Sequence, residues 1–223
     1  MMLIGVPVTN KVNMEVKMEV FEAIKTRRSI RHYKSEAIGE ERLNAVLEAA
    51  RWAPSWLNTQ CSRFVVVQDA ETKAKLADAV TPWNPAYKAV IEAPVVIVAC
   101  AELGKSGFFE DTPVTDKGDW YMFDVALAVQ NLTLAAHSLG LGTVHVGAFD
   151  ARKVAQILNV PQGVVVVEVL PLGYPAREGR TPGRKELSEL VFRENYRQKM
   201  ERPQGNSNPC FQLERLTSWS PRR

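Results

Sequence analysis

The sequence has few cysteines and no pattern that would pair them. Its 223 residues include three, at positions 61, 100 and 210, without a C-x-x-C motif. An odd number without close spacing argues against a disulfide framework or a zinc cluster, and it fits a reducing compartment. We therefore expect a cytoplasmic protein without a metal site.

An excess of charge of one sign and long apolar runs are also lacking. The chain carries 28 Lys and Arg against 25 Asp and Glu, a net charge of +3, which does not indicate a nucleic-acid or membrane-surface partner. The longest apolar run, residues 93–101, is about half of the roughly 18 residues that a membrane-spanning helix needs. Residues 1–8 lack the basic start of a secretory signal. We expect neither nucleic acid nor a membrane as partner.

Common catalytic motifs are absent from the chain. There is no H-E-x-x-H, no G-x-S-x-G and no G-x-x-x-x-G-K. The glycines at 140 and 142 follow a predicted helix rather than a strand, so we reject a dinucleotide-binding Rossmann motif. Cys61 beside a histidine remains an alternative nucleophile, although the sequence offers no third orienting group.

Hydrophobic periodicity predicts a mixture of helices and strands. Helices are expected from near residue 16 to the basic cluster at 25–31 and over 40–52, 70–80, 119–139, 150–158 and 187–199, and strands over 64–67, 94–101, 143–146 and 164–172. Such a mixture predicts a sheet with helices on its faces. We expect an N-terminal extension at 1–15, one domain at 16–200, and a mobile or partner-docking tail at 201–223. Residues 102–119 show no period, and an aperiodic loop of that length is typically a lid, a binding loop or disordered.

The segment Arg27-Arg28-Ser29-Ile30-Arg31 is the strongest chemical signal. Three guanidinium groups and a hydroxyl can engage a phosphate, because arginine presents a planar fork of donors. In an extended chain Arg27, Ser29 and Arg31 would point to one side. The alternative is a solvated basic helix end, where cations are favourable.

Two further segments carry candidate binding groups. In the loop from Pro54 to Cys61, the side chains of Ser55, Asn58 and Gln60 could line the polar edge of a planar heteroaromatic ligand, or simply end a helix. Gly147 follows a predicted strand and could let its backbone N–H approach a ligand. Asp124 interrupts an apolar helix, and we expect a buried polar partner to satisfy it.

Together these segments resemble the FMN-dependent nitroreductase family over about residues 20–191. The resemblance rests on six pieces in the family's order and spacing: R-R-S-I-R-H-Y at 27–33, A-P-S-W-L-N-T-Q at 53–60, A-V-Q-N-L at 128–132, G-L-G-T at 140–143, G-A-F-D at 147–150 and L-G-Y-P at 172–175. No single piece is specific, but the joint match is. Cys61-Ser62 departs from the Pro-Trp that often follows the loop in this family.

The resemblance implies an α+β, three-layer α/β/α sandwich with a mixed, mainly antiparallel sheet, built as an intertwined homodimer with FMN at the interface. It implies that the flavin phosphate and ribityl chain contact the R-R-S-x-R segment, and that the loop at 54–58 lies along the flavin ring. It further implies a backbone N–H near 147 facing flavin N5 and a second basic phosphate contact. The implied FMN-binding residues are Arg27, Arg28, Ser29, Arg31, Pro54, Ser55, Asn58, Val146, Gly147 and Arg184.

The implied reaction is ping-pong transfer of hydride from NAD(P)H through flavin N5 to a small-molecule acceptor such as a nitroaromatic, quinone or enone. The cofactor performs the chemistry, so no catalytic side chain is expected. Alternatives are a flavin-binding module without turnover, and oxygen-dependent flavin chemistry or dehalogenation on the same fold.

Overall fold

The computed structural model describes residues 18–199, which divide into two compact units after Arg180. The first unit contains a short 3-10 helix, Trp56–Asn58, together with every strand and six α-helices of the described chain: α1 (Val20–Thr26), α2 (Glu40–Arg51), β1 (Ser62–Val67), α3 (Ala70–Ala77), α4 (Tyr87–Glu92), β2 (Val95–Glu102), β3 (Phe108–Phe109), β4 (Thr112–Pro113), α5 (Tyr121–Ser138), β5 (Gly142–Thr143), α6 (Ala151–Ile157) and β6 (Val164–Gly173). The second unit contains α7 (Leu187–Leu190). The predicted boundaries at 15 and 201 lie outside the described residues.

A four-stranded sheet forms the middle of the first unit. Its strand order is β1-β2-β6-β5, and each neighbouring pair is antiparallel. Ser29 adds a parallel bridge to Thr143 beside the β5 edge. The sheet is therefore mixed and mainly antiparallel, which confirms the prediction.

Helices cover both faces of the sheet, and the central strand β2 is apolar on both of its sides. Val96 and Val98 pack with residues of α3, α4 and α6, whereas Ile97 and Ala99 pack with residues of α2 and α5. Such a continuous apolar strand is typical of burial on both faces. The predicted α+β, three-layer α/β/α arrangement is confirmed within this unit.

The central helix α5 agrees closely with its predicted range. Its buried side chains recur with helical spacing and place one face against the sheet and α2: Asp124, Val125, Ala128, Val129, Leu132, Thr133 and Ala136. Among residues 18–199, no helix is both long and apolar enough to cross a membrane.

Several segments differ from the prediction. Helix α4 was not expected, and the strand expected over 143–146 is confined to Gly142–Thr143. The helix expected over 187–199 ends at Leu190, since Val191 is extended and the Asn195 side chain accepts from the Arg197 N–H, a local bond that competes with helix. The aperiodic stretch at 102–119 contains the short hairpin β3–β4, turned by Glu110 and Asp111 with φ of 45° and 62°. Two consecutive residues of positive φ suit a tight hairpin turn.

Gly142 allows the segment after α1 to lie against β5. A Cβ at this position would lie 2.5 Å from Ile30 Cγ1 and 2.8 Å from Ile30 Cβ. We expect Gly142→Ala to destabilise the protein by about 1–3 kcal/mol through overpacking. Thermal unfolding would measure this, with Gly183→Ala as control, because Gly183 lies outside the helices and strands and a Cβ there meets nothing within 4 Å. Equal melting temperatures for the two variants would contradict the close packing.

Candidate functional site

The segment Arg27–Arg31, called here the basic segment, runs along the β5 edge of the sheet. The Ile30 N–H donates to Thr143 O at 2.9 Å, and the Tyr33 hydroxyl donates back to Ile30 O at 2.7 Å. Both hydrogen bonds hold the backbone of the segment in place, and this determines the points from which the arginine side chains project. The tertiary contacts rather than helix propensity therefore define this segment.

The arginines of the basic segment have different surroundings. Arg28 Nη1 donates to Lys25 O at 2.6 Å and Arg27 O at 2.8 Å, so it satisfies carbonyls at the end of α1. Arg31 Nε is buried and has no acceptor within the described chain. Because a buried charged donor without a partner is costly, an anion bound here would complete its hydrogen bonding.

His137, near the end of α5, lies next to the basic segment and was not singled out from the sequence. The Thr26 hydroxyl donates to Glu22 O at 2.6 Å, which leaves its oxygen to accept from His137 Nε2 at 2.8 Å. Burial lowers the pKa of His137, and the charges of Arg27 and Arg28 lower it further. Because the Thr26 proton is used by Glu22 O, the contact requires a proton on His137 Nε2, and the lowered pKa favours the neutral ring.

The turn Val146–Ala148, called here the Gly147 turn, is held on both sides. Val146 exchanges two backbone hydrogen bonds with Val169, of 3.1 and 3.2 Å. Ala148 O accepts from Thr81 N at 3.2 Å, Thr81 Oγ1 at 3.1 Å and Asn84 Nδ2 at 3.4 Å. Gly147 between them is exposed, a Cβ there would meet nothing within 4 Å, and its N–H has no acceptor among the described residues.

The loop Pro54–Gln60 has an unusual backbone. Leu57, Asn58 and Gln60 have φ of 43°, 58° and 51°, in the left-handed region. The Asn58 N–H donates to Ser55 O at 3.0 Å and the Gln60 N–H donates to Ser55 Oγ at 2.9 Å. The carbonyl and the hydroxyl oxygens of Ser55 therefore already accept hydrogen bonds within the loop. The Asn58 side chain is exposed at the loop's surface.

Asp124 has the buried polar partners that we expected. Only 2% of it is exposed, and both carboxylate oxygens accept from the Trp56 N–H at 3.1 Å. The Cys61 thiol donates to the same carboxylate at 3.5 Å. Burial, together with the negative charge of Asp124, raises the pKa of Cys61 to about 11.

A cleft of about 310 Å³ opens beside this loop. Its wall is formed by residues of α2, the loop after it, β1 and α5, and half of them have polar or charged side chains: Leu47, Ala50, Arg51, Ala53, Pro54, Ser55, Gln60, Ser62, Arg63, Phe64, Asp124 and Ala128. Apolar surface combined with polar groups that can orient a ligand is typical of small-molecule sites.

The predicted site residues fall into two separate groups within one chain. The basic segment and the Gly147 turn lie at the β5 edge, whereas the loop Pro54–Gln60 leads into β1 at the opposite edge. Three strand spacings separate these edges, about 14 Å. Along α5, Asp124 contacts the loop and His137 contacts Thr26. These two residues are thirteen positions apart, so about 20 Å of helix separates them. One chain does not bring the two groups together.

Arg184, the remaining predicted contact, belongs to the second unit. There Arg184 Nη1 donates to Pro182 O at 3.3 Å and Gly183 O at 3.1 Å. Its proposed contact with a phosphate stays a prediction.

Comparison with known proteins identifies the family. The family model for the nitroreductase family matches residues 24–115 and 81–174. A Methanothermobacter thermautotrophicus protein named as an NADH dehydrogenase/NAD(P)H nitroreductase is 37% identical over 77% of this chain and 83% of its own length. The oxygen-insensitive NADPH nitroreductase of Salmonella typhimurium is 30% identical over 78% of this chain and 72% of its own. This chain belongs to the nitroreductase family.

Solved structures agree with this assignment. A nitroreductase family protein of Clostridium difficile 630 superimposes with a TM-score of 0.69 at 28% identity, over 80% of this chain and 99% of that one. An FMN-dependent nitroreductase of Clostridium difficile R20291 gives 0.65 at 27% identity, over 78% and 98%. The predicted family and fold are confirmed.

The state of Cys61 can be tested by alkylation. With a pKa of about 11, about one thiol in a thousand is ionised at pH 8, against roughly a quarter for a free cysteine. We expect iodoacetamide to leave Cys61 unlabelled in the folded protein at pH 8 and to label it after denaturation in urea, as read by peptide mass spectrometry. Labelling should rise as the pH approaches 11. Rapid labelling at pH 8 with loss of activity would instead support the cysteine nucleophile.

Proposed function

We propose that this protein is an FMN-dependent oxidoreductase that passes reducing equivalents from NAD(P)H to an oxidised organic acceptor in two half-reactions. The observation that carries the proposal is the Gly147 N–H: it is exposed, without an acceptor among the described residues, and held between two anchored peptides near the basic segment. Relatives named NADPH nitroreductase and FMN reductase [NAD(P)H] support this chemistry.

The residues at the β5 edge fit the phosphate end of FMN. Arg31 offers a buried donor that has no acceptor within the described chain, and Ser29, two residues earlier, adds a hydroxyl to the segment. The phosphate of bound FMN would supply a charged acceptor for the Nε–H of Arg31. Arg27 adds positive charge, while Arg28 would contribute mainly by holding the backbone of the segment.

The Gly147 turn and the loop Pro54–Gln60 fit the ring end. When bound, FMN would supply the redox chemistry, with hydride taken from NAD(P)H at N5 and two electrons delivered to the acceptor. The Gly147 N–H would donate towards N5 and stabilise negative charge on the ring, because a preorganised donor needs no rearrangement. Asn58, exposed at the loop, offers both donors and acceptors to the polar ring edge.

The complete site requires two copies of the chain. Within one copy the basic segment and the loop Pro54–Gln60 lie at opposite sheet edges, so the loop of a second copy would complete each site around a two-fold axis. Exposed apolar side chains on α1 and α5 support such an interface: Val20, Phe21, Ile24, Met122 and Phe123. We therefore propose a homodimer with two shared sites.

The visible spectrum of the purified protein tests the proposed function. We expect flavin absorption bands that bleach when NADH or NADPH is added without oxygen and return when a quinone or nitroaromatic is added. Chromatography of the released cofactor would distinguish FMN from FAD. Flavin that neither nucleotide reduces would favour a binding module, and a protein that takes up no FMN would overturn the proposal.

Mixing two variants with weakened FMN binding tests whether each site is shared between two chains. We expect Arg31→Ala and Asn58→Ala each to weaken FMN binding about ten- to a hundredfold, since each removes a polar contact, charge-assisted for Arg31. A mixed dimer would combine the intact loop of the first variant with the intact basic segment of the second. Random reassociation should then restore high affinity at about a quarter of the sites, as measured by FMN titration. No restoration would place the whole site within one chain.

A further inference from the structure

Asp124 is a buried carboxylate that the proposed chemistry does not use. We infer that it is a positioning residue, which keeps the loop Pro54–Gln60 in its ligand-binding conformation by bonding both ends of the loop's strained part. This inference rests on the proposed function, because it assigns the loop to the flavin ring.

Backbone strain is concentrated between Leu57 and Gln60. Both residues are left-handed, with φ of 43° and 51°, although neither is glycine or asparagine, the residues that tolerate this region best. Each left-handed residue shifts the equilibrium about five- to thirtyfold against the observed conformation. Leu57 is also 71% exposed, so packing of its own side chain compensates little of this cost.

The two partners of Asp124 flank the strained residues in sequence. The Trp56 N–H donates to both carboxylate oxygens at 3.1 Å immediately before Leu57, and the Cys61 thiol donates at 3.5 Å immediately after Gln60. An ionised carboxylate is an acceptor only, and its hydrogen bonds are stronger than those between neutral groups. One side chain on a rigid helix therefore fixes both ends of the loop.

The strength of this contact is comparable to the strain that it opposes. Loss of a charge-assisted hydrogen bond to a buried carboxylate typically changes an equilibrium about ten- to a hundredfold. Without Asp124, the loop should therefore leave its observed conformation for a large fraction of the time. A ligand that needs this conformation then binds more weakly in inverse proportion to the remaining population.

A purely local role for Asp124 predicts a different result. Asp124 lies in the first turn of α5, where a negative charge favours the helix dipole. If that were its whole role, its removal would destabilise α5 without a specific effect on the loop. Thr133 is a suitable control, because it is fully buried on the same helix and bonds only Gln130 O of that helix.

The test compares Asp124→Ala with Thr133→Ala in the full chain. We expect Asp124→Ala to weaken FMN binding about ten- to a hundredfold in a fluorescence titration and to accelerate amide hydrogen exchange in the peptide covering residues 54–61 of the FMN-free protein. Thr133→Ala should lower the melting temperature but leave both readouts unchanged. Unchanged readouts in Asp124→Ala, or equal changes in both variants, would overturn the inference.

A rescue variant separates positioning from general stability. Leu57→Gly removes one left-handed side chain, so Asp124→Ala/Leu57→Gly should recover about five- to thirtyfold of the lost affinity. No recovery would contradict the role of strain. If Asp124→Ala does not fold, Asp124→Asn decides the question, since one amide oxygen still accepts from Trp56 and an intermediate loss is expected. If the unmodified protein binds no FMN, the proposed function fails, while hydrogen exchange still decides whether Asp124 holds the loop.

Discussion

The rigid helix α5 is the constraint on which the arrangement of the site depends. It packs against the sheet along its length, and its two ends contact different candidate regions, through Asp124 at one end and His137 at the other. A straight helix cannot shorten, so these regions stay about 20 Å apart in one chain. In the proposed function both regions contact one cofactor, and a second copy of the chain would supply the missing region.

The candidate site consists mainly of backbone segments that hydrogen bonds to adjacent residues hold in place. A few donors in these segments have no acceptor among the described residues. Thr81 and Asn84 fix the peptide after Gly147, and Val169 fixes the residue before it. Arg31 similarly presents a buried donor from a segment that β5 holds in place. Donors held in this way would stabilise charge on a bound group without reorganising, which fits the proposed function, where no catalytic side chain is expected.

The loop Pro54–Gln60 shows how one departure from the family pattern is accommodated. Cys61 stands where a proline is common in the family, and the structure buries it completely beside Asp124. Burial and the charge of Asp124 raise the pKa of Cys61, which favours the protonated thiol that donates to Asp124. The same contact adds to the anchoring of the loop.

The family followed from the joint resemblance of six segments spread over residues 27–175. Periodicity and local composition by themselves determined the sheet strands β1, β2 and β6, the range of α5 and the basic segment, because these depend on patterns within a few residues. They did not determine the early end of α7 or the hairpin at β3–β4, which depend on side-chain bonds and positive φ. Nor could they show that Asp124 bonds Trp56 and Cys61, 68 and 63 residues away. Only the tertiary structure decided which candidate residues share a sheet edge, since the pairing of strands rather than their order along the chain sets that distance.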